Sequence, residues 1–371
     1  MAGWRRGTVS EITARQADLL TILVDVEDTT LTAVAFPHMV AEISEGDEVV
    51  LNTTGIDLGL GTGGVAFVLW NLTNPALPAP GEGHIVKLRY TPWQTEVLAA
   101  EAPESPHHEA LKEVTSLDGT PVVVCGLHSQ VAAATAGIKD ANPEARVGYL
   151  MTDGAALPLA WSNLVRSLRE AGLVDVTATS GHAFGGDLEA VNVFSALAAL
   201  EVAGEADAIV VAMGPGVVGT DTSLGFTAME QGPILDAAGA LGGRAIACLR
   251  VSFLDERPRH AGLSHHCVTT LQVGAQRRCT IALPELPPDQ ARVVADQLER
   301  SGLSRRHEIV SADGGGALRL AAEHGIALAS MGRSHEEHPE LFLAAGAAGG
   351  IAGRVTLEPR HDRTEGQEKR T

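Results

Sequence analysis

The stretch SGHAFGGDLEAVN, residues 180–192, brings a histidine, two adjacent glycines, two carboxylates and an asparagine into one short segment. Imidazoles and carboxylates are the common acid/base catalysts and metal ligands, and a glycine pair lets the backbone approach a ligand closely. Asp187 and Glu189 also have a purely structural reading: an Asp can cap the helix expected to follow, and a Glu suits that helix's positive end. Neither idea accounts for His182, Gly185 or Gly186. Because the two acids would neutralise the helix end, a metal, a cationic group or a hydroxyl-rich ligand fits this loop better than a phosphate.

Further histidines stand in similar punctuated segments, His128 in CGLHSQ and His260, His265 and His266 in DERPRHAGLSHH, with Asp153 in TDGAA. This set can hold a divalent metal, although no pair has a spacing such as HExxH. For any single one of them a hydrogen-bonded structural histidine is the commoner explanation, and acid/base catalysis needs no metal. His128, Asp153, His182, Asp187 and His260 are therefore the catalytic candidates. Arg257, Arg259 and Arg333 are forked donors for a carboxylate or phosphate, so a small anionic substrate is expected. The charges of DERPR can also pair among themselves in an exposed turn. Ligand contacts are assigned to Gly185, Gly186, Glu189, Gly214, Gly216, Arg259, His265, His266 and Arg333.

GPGVVG, Gly214–Gly219, matches the GxGxxG dinucleotide pattern after a strand, but TDTSLGF intervenes before a helix can open. A tight turn or a close backbone approach to another ligand serves these glycines as well. GLGTGG, Gly59–Gly64, precedes a strand and reads as turns or bulges. Cys125 lies near His128 but ends an apolar run, where packing is its commoner role. Ser162 reads as lying inside a helix with no GxSxG elbow, so a serine-hydrolase reading fails. Lys139 is the sole lysine of residues 120–357, which leaves Schiff-base chemistry little to work with.

These residues need a scaffold that gathers them. Residues 7–72 alternate apolar and polar positions in short runs, as in a small β-barrel or sandwich, and 1–83 is read as a β-rich domain. A proline-marked connecting segment, 84–119, follows. From 120 to 357, continuous apolar runs alternate with helical patterns, as expected of strands buried on both faces of a parallel sheet. The expected strands are PVVVCG, RVGYLMT, DVTATS, AIVVAM, AIACLRVSF, EIVSA and IALASMG; CVTTLQVGAQRRCTIAL, Cys267–Leu283, reads as a hairpin insertion turning near Gly274. The fold class is thus α/β, a Rossmann-like, mainly parallel sheet with a hairpin insertion behind an N-terminal β-domain. The tail 358–371 reads as disordered. In such sheets ligands bind beyond the carboxyl ends of the strands. His, Asp, Arg and Gly concentrate just past the expected strand ends, whereas the opposite loops, such as KDANPEA, carry no histidine.

The formal net charge of -19 disfavours nucleic acid or an anionic membrane as partner. The N-terminus lacks a signal-peptide core, and the apolar run at Leu341–Gly353 is too short to span a bilayer, so a cytoplasmic location is expected. The four cysteines show no CxxC spacing and read as buried free thiols. Across nearly its whole length the chain resembles an uncharacterised bacterial family, the domain of unknown function 3866. The resemblance rests on LNTT with GLGTGG, GHIVKLRYTP, CGLHSQ, MTDGAALPLA, HAFGGDLEAVN, GPGVVGT with EQG, RHAGLSHH and SMGR. It implies neither a substrate nor catalytic residues. The residues themselves imply an enzyme acting on a small anionic metabolite by acid/base or metal-assisted chemistry. A non-catalytic metabolite-binding or scaffolding protein is the alternative, and a dinucleotide-dependent oxidoreductase a weaker one. Self-association through apolar faces of the β-domain is a further expectation.

Overall fold

The computed structural model describes residues 3–60, 63–77, 81–255 and 257–359, divided into two compact units between Val97 and Leu98. In the first unit, β1 (Trp4–Arg15), β2 (Leu20–Val26) and β3 (Thr29–Ala35) are followed by the single-turn helix α1 (Pro37–Val40). Then come β4 (Glu48–Asn52), the short α2 (Thr54–Asp57) and β5 (Ala66–Asn71). Leu20, Ile22, Val24 and Val26 are buried at every second position of β2, the period of a strand with one face in a core. The strands close in the order β1-β2-β3-β5-β4, with β3 and β5 parallel, so of barrel and sandwich it is the barrel that forms. Closure leaves no unpaired edge. Three of the glycines of GLGTGG, Gly59, Gly63 and Gly64, have positive φ, and Gly61 and Thr62 lie outside the described residues. A two-stranded ladder of β6 (Ile85–Lys87) and β7 (Thr95–Val97) belongs to this unit.

The second unit takes up the rest of the segment read as connecting: Ala100 N–H donates to the Glu189 carbonyl, the short α3 (His108–Leu111) follows, and Leu117 N–H donates to the Leu241 carbonyl. Its sheet is formed by β8 (Pro121–Val124), β9 (Val147–Thr152), β10 (Val176–Thr179), β11 (Leu188–Glu189), β12 (Ala208–Met213) and β13 (Arg244–Cys248). A minor antiparallel pair, β14 (Val251–Ser252) and β15 (Gly262–Leu263), precedes the last two members, β16 (Thr280–Pro284) and β17 (Glu308–Ala312). All eight sheet strands are parallel, in the order β11-β10-β9-β12-β8-β13-β16-β17.

Alternate strand residues feed two separate cores: Val123, Tyr149, Val210 and Ile246 point to one, Val122, Leu150, Ile209 and Ala247 to the other. On the first core lie α4 (Val131–Ala141), α5 (Asn163–Glu170), α11 (Gly315–Glu323) and α12 (Pro339–Val355); on the second lie α6 (Val193–Val202), α7 (Gln231–Ala240), α8 (His265–Thr269) and α9 (Pro288–Arg300). The single turn α10 (Leu303–Arg306) leads into β17. The chain leaves β8 toward β9, β10 and β11, and leaves β12 the opposite way toward β13, β16 and β17. Neighbouring strands whose connections diverge open a crevice at their carboxyl ends, and in this fold that crevice lies between β8 and β12.

The apolar run at Leu341–Gly353 is the buried body of α12, laid against α4. A Cβ at Gly349 would come 3.0 Å from Ile138 N, and one at Gly137 would come 3.0 Å from Gly350 N, so glycine sets how closely these helices approach. Among the described residues no helix is long and apolar enough to cross a membrane.

Three local expectations are corrected. The hairpin placed at Cys267–Leu283 is instead α8, a wider π-helical turn over Thr270–Gly274, and then β16 as an interior parallel strand. The apolar stretch IALASMG does not enter the sheet; β18 (Ala329–Ser330) pairs only with β19 (Arg333–Ser334). The helix after the opening stretch begins at Val193, and its cap is Asn192, whose Oδ1 accepts from Phe194 N at 2.9 Å and Ser195 N at 3.2 Å. Asp187 therefore caps nothing.

Candidate functional site

A cavity of about 720 Å³ occupies the crevice between β8 and β12. Leu127, His128 and Ser129 enter it from the end of β8, and Pro215, Gly216 and Val217 from the end of β12. Gly216 has φ +116°, a conformation closed to other residues, which fits the backbone here to a sharp turn along the wall. The start of α5 contributes Asn163 and Ser167; Ser129 and Ser330, both on the wall, are joined by a 2.9 Å hydrogen bond. Cationic and imidazole groups arrive after β13: Arg250, Arg257, Arg259, His260 and His266 all line the cavity.

The electrostatics of this wall follow from its pairing. Arg250 is buried, and its Nη2 lies 3.6 Å from Asp255 Oδ2. Arg257 holds the same carboxylate with two hydrogen bonds, Nε to Oδ1 at 2.9 Å and Nη2 to Oδ2 at 2.8 Å. Those bonds from Arg257 hold Asp255 well below the usual carboxylate range, so it is ionised. Arg259 pairs with Asp221. Among the described residues three guanidiniums thus share two carboxylates, an excess of one positive charge that suits an anion.

Three imidazoles surround these arginines. His260 Nδ1 is 2.7 Å from Ser264 Oγ, His266 Nδ1 is 3.4 Å from Arg250 Nη1, and Phe226 stacks on His266 with ring centres 3.9 Å apart. Burial first, then the field of Arg250, lowers His260 to about 4 and His266 to about 3. Burial and then Arg259 lower His265 as well. All three are uncharged near pH 7, with lone pairs available.

His128 is held from both sides. Its Nδ1 lies 3.1 Å from the Met213 carbonyl and donates to it, which leaves Nε2 to accept from Ser162 Oγ at 2.7 Å. Tyr149 Oη stands 3.2 Å from the same Nδ1 and donates to the Ala212 carbonyl. Burial lowers His128 to about 4, against the opposing pull of the Met213 carbonyl. Ser162 is not inside a helix, as its sequence context implied; it caps α5, accepting from Val165 N at 3.1 Å. The serine–imidazole contact of a nucleophile pair is present, but Ser162 is buried and off the cavity wall.

The remaining predicted residues lie elsewhere. Asp153 and His182 meet at the ends of β9 and β10, where His182 N–H donates to Asp153 Oδ2 at 2.9 Å. Beside them is Glu230, which accepts from Thr152 Oγ1 at 2.6 Å; burial, with Asp153 adding to it, raises its carboxyl to about 7. Asp187 accepts from Thr177 N at 2.8 Å and pairs with Arg169, and although burial opposes ionisation these partners bring its pKa below the usual value. Glu189 accepts from Thr179 Oγ1 at 2.7 Å and Gly185 N at 2.6 Å. A Cβ on Gly186 would sit 2.9 Å from Thr179 N, so the glycine pair and the two acids pin β11 to the sheet edge, away from the cavity. Gly214 packs under Ala156 and Met151, and Arg333 Nη1 reaches the Leu254 carbonyl at 3.5 Å; neither lines the cavity.

Sequence reasoning missed Arg250, Asp221 and Glu230. Arg250 had a readable signal, a lone charge closing the apolar run AIACL. Asp221 and Glu230 had none. The GxGxxG reading fails on structure: after Gly219 the chain pairs with Phe226, and the next helical turn begins only at Thr227.

The second unit is a doubly wound α/β fold with a cavity at its switch point, the place where open parallel sheets commonly bind ligands. The chain belongs to the family described as "Protein of unknown function (DUF3866)", which it matches over residues 32–349. Comparison with curated proteins gives no match.

Proposed function

We propose that this protein is an enzyme that acts on a small anionic metabolite bound in the crevice between β8 and β12. One observation carries the reading: three arginines converge on a cavity of about 720 Å³ and, among the described residues, two aspartates pair with them. The substrate's carboxylate or phosphate replaces the missing counter-charge, and the imidazoles of His128, His260 and His266 border the reacting part of the ligand. A cavity of this size suits a metabolite and is too small for a folded partner. Four buried free cysteines support a reducing, cytoplasmic setting, and the resemblance to a bacterial family supports a bacterial one.

The test is a thermal-shift screen of phosphates, sugar phosphates and di- and tricarboxylates, followed by turnover assays on the compounds that bind. Stabilisation by at least one anion, lost in Arg259→Gln, is expected; stabilisation by none of them sinks the proposal. The alternative, a metabolite-binding protein without turnover, draws support from His128, whose nitrogens are both engaged and whose lowered pKa makes it a weak base at neutral pH. Tight binding with no conversion of any bound anion would select it.

A further inference from the structure

We infer that His260, His265 and His266 together form a binding site for one divalent ion of the zinc class. His260 ends the turn Pro258–His260, and His265 and His266 open α8. One nitrogen of each ring lies within 4.8 Å of the other two. Nitrogens on a tetrahedral zinc stand about 3.4 Å apart, a difference that side-chain torsions can close. The ring planes cross at 47°, 88° and 65°, so the imidazoles converge and do not stack on one another.

The ring nitrogens already have divided roles. Ser264 Oγ can accept from Nδ1 of His260, which turns that ring's Nε2 to the ion; Arg250 Nη1, a donor 3.4 Å from Nδ1 of His266, turns aside when that ring ligates. A metal-bound histidine is normally held through its other nitrogen in this way. Independently, His265 Nε2 is buried with no hydrogen-bond partner among the described residues. A buried polar atom left unpaired points to an ion or a water that completes it. Arg259 Nε, 3.4 Å from His260 Nε2, is displaced when the ion enters, and its guanidinium has Asp221 as a partner.

Three neutral nitrogen ligands leave such an ion an open position for water or a substrate oxygen. Since His260 and His266 line the cavity, that position opens toward the bound anion, whose charge offsets both the ion and the unbalanced guanidinium. What the ion does there rests on the anion-cleft reading; whether it binds does not.

Tag-free full-length protein, stripped with a chelator and titrated with Zn²⁺ or Co²⁺, is expected to take up one equivalent, with the intense visible absorption of four-coordinate Co²⁺. His265→Gln and His266→Ala should each weaken uptake by at least about tenfold while circular dichroism and thermal unfolding show a folded chain. Absence of stoichiometric uptake, or unchanged affinity in His265→Gln, overturns the inference. Inorganic phosphate titrated into the metal-free protein separates the two readings: phosphate bound without zinc removes only the metal site, and zinc bound with no anion taken up removes only the anion cleft.

Discussion

Arg250 is the buried guanidinium of the site: it touches His266 and shares Asp255 with Arg257. Charge-assisted hydrogen bonds contribute about 1.5–3 kcal/mol, so Arg250→Met should weaken phosphate binding by at least about tenfold in isothermal titration. Affinity equal to wild type would move the anion site elsewhere. Glu230 gives a pH prediction. Below about pH 4.5 folded and unfolded chains both hold its proton; between there and about 7 only the folded chain does, so stability falls as pH rises. Above 7 the full cost of burying the carboxylate is present, on the order of 3 kcal/mol. Glu230→Gln should therefore match wild type in urea unfolding at pH 5 and exceed it at pH 8; a constant difference between the two pH values would show that the carboxyl ionises normally. Arg250 was legible in the chain as a lone charge closing an apolar run; Glu230 was not. Arg250 sits where β13 runs on toward β14, and Glu230 acquires its environment only when the turn before α7 packs beside Thr152.

Elements explain what was legible and what was not. Runs such as PVVVCG and AIVVAM are buried on both faces, leave no alternation to confuse the reading, and became β8 and β12. The stretch around Cys279 failed because an arginine pair breaks its apolar run and Gly274 imitates a hairpin turn, while the real strand begins only at Thr280. In the opening stretch the cap was present but misassigned by five residues: Asp187 looked like the start of a helix, and the two residues after it form β11 instead. Asn192→Ala should then lower stability by about 1 kcal/mol in denaturant melts, as the loss of an N-cap does. No change would mean that α6 is held by packing alone. At the α4–α12 contact, Gly349→Leu drives a side chain into the backbone of Ala134 and Ile138. It should cost about 3 kcal/mol or more, seen as a large drop in melting temperature.

At the scale of the molecule, sign and place of charge work together. The chain is strongly acidic, and residues 1–77 hold three arginines against ten Asp and Glu. Five-stranded barrels serve as oligonucleotide platforms in other proteins, yet the charge balance of these residues is negative, the sign that phosphate backbones repel. Fluorescence anisotropy with single-stranded DNA and RNA at physiological salt should show no binding; a saturable rise would contradict the charge argument. Within this acidic chain the cleft wall gathers Arg250, Arg257 and Arg259, a local positive cluster that on the proposed function favours a small anion able to enter. That the polar residues belonged at the carboxyl ends of a parallel sheet was legible before the structure. Which of them share one cavity was not, because strand order decides it: β9 and β10 carry Asp153 and His182 to one site, while β8, β12 and β13 bring His128, Gly216 and Arg250 to another. The most direct measurement is a crystal structure of the protein soaked with inorganic phosphate. The account predicts density for the anion between Arg250, Arg259 and His266, with occupancy lost in Arg250→Met; phosphate bound only outside this crevice, or bound there equally well without Arg250, would contradict it.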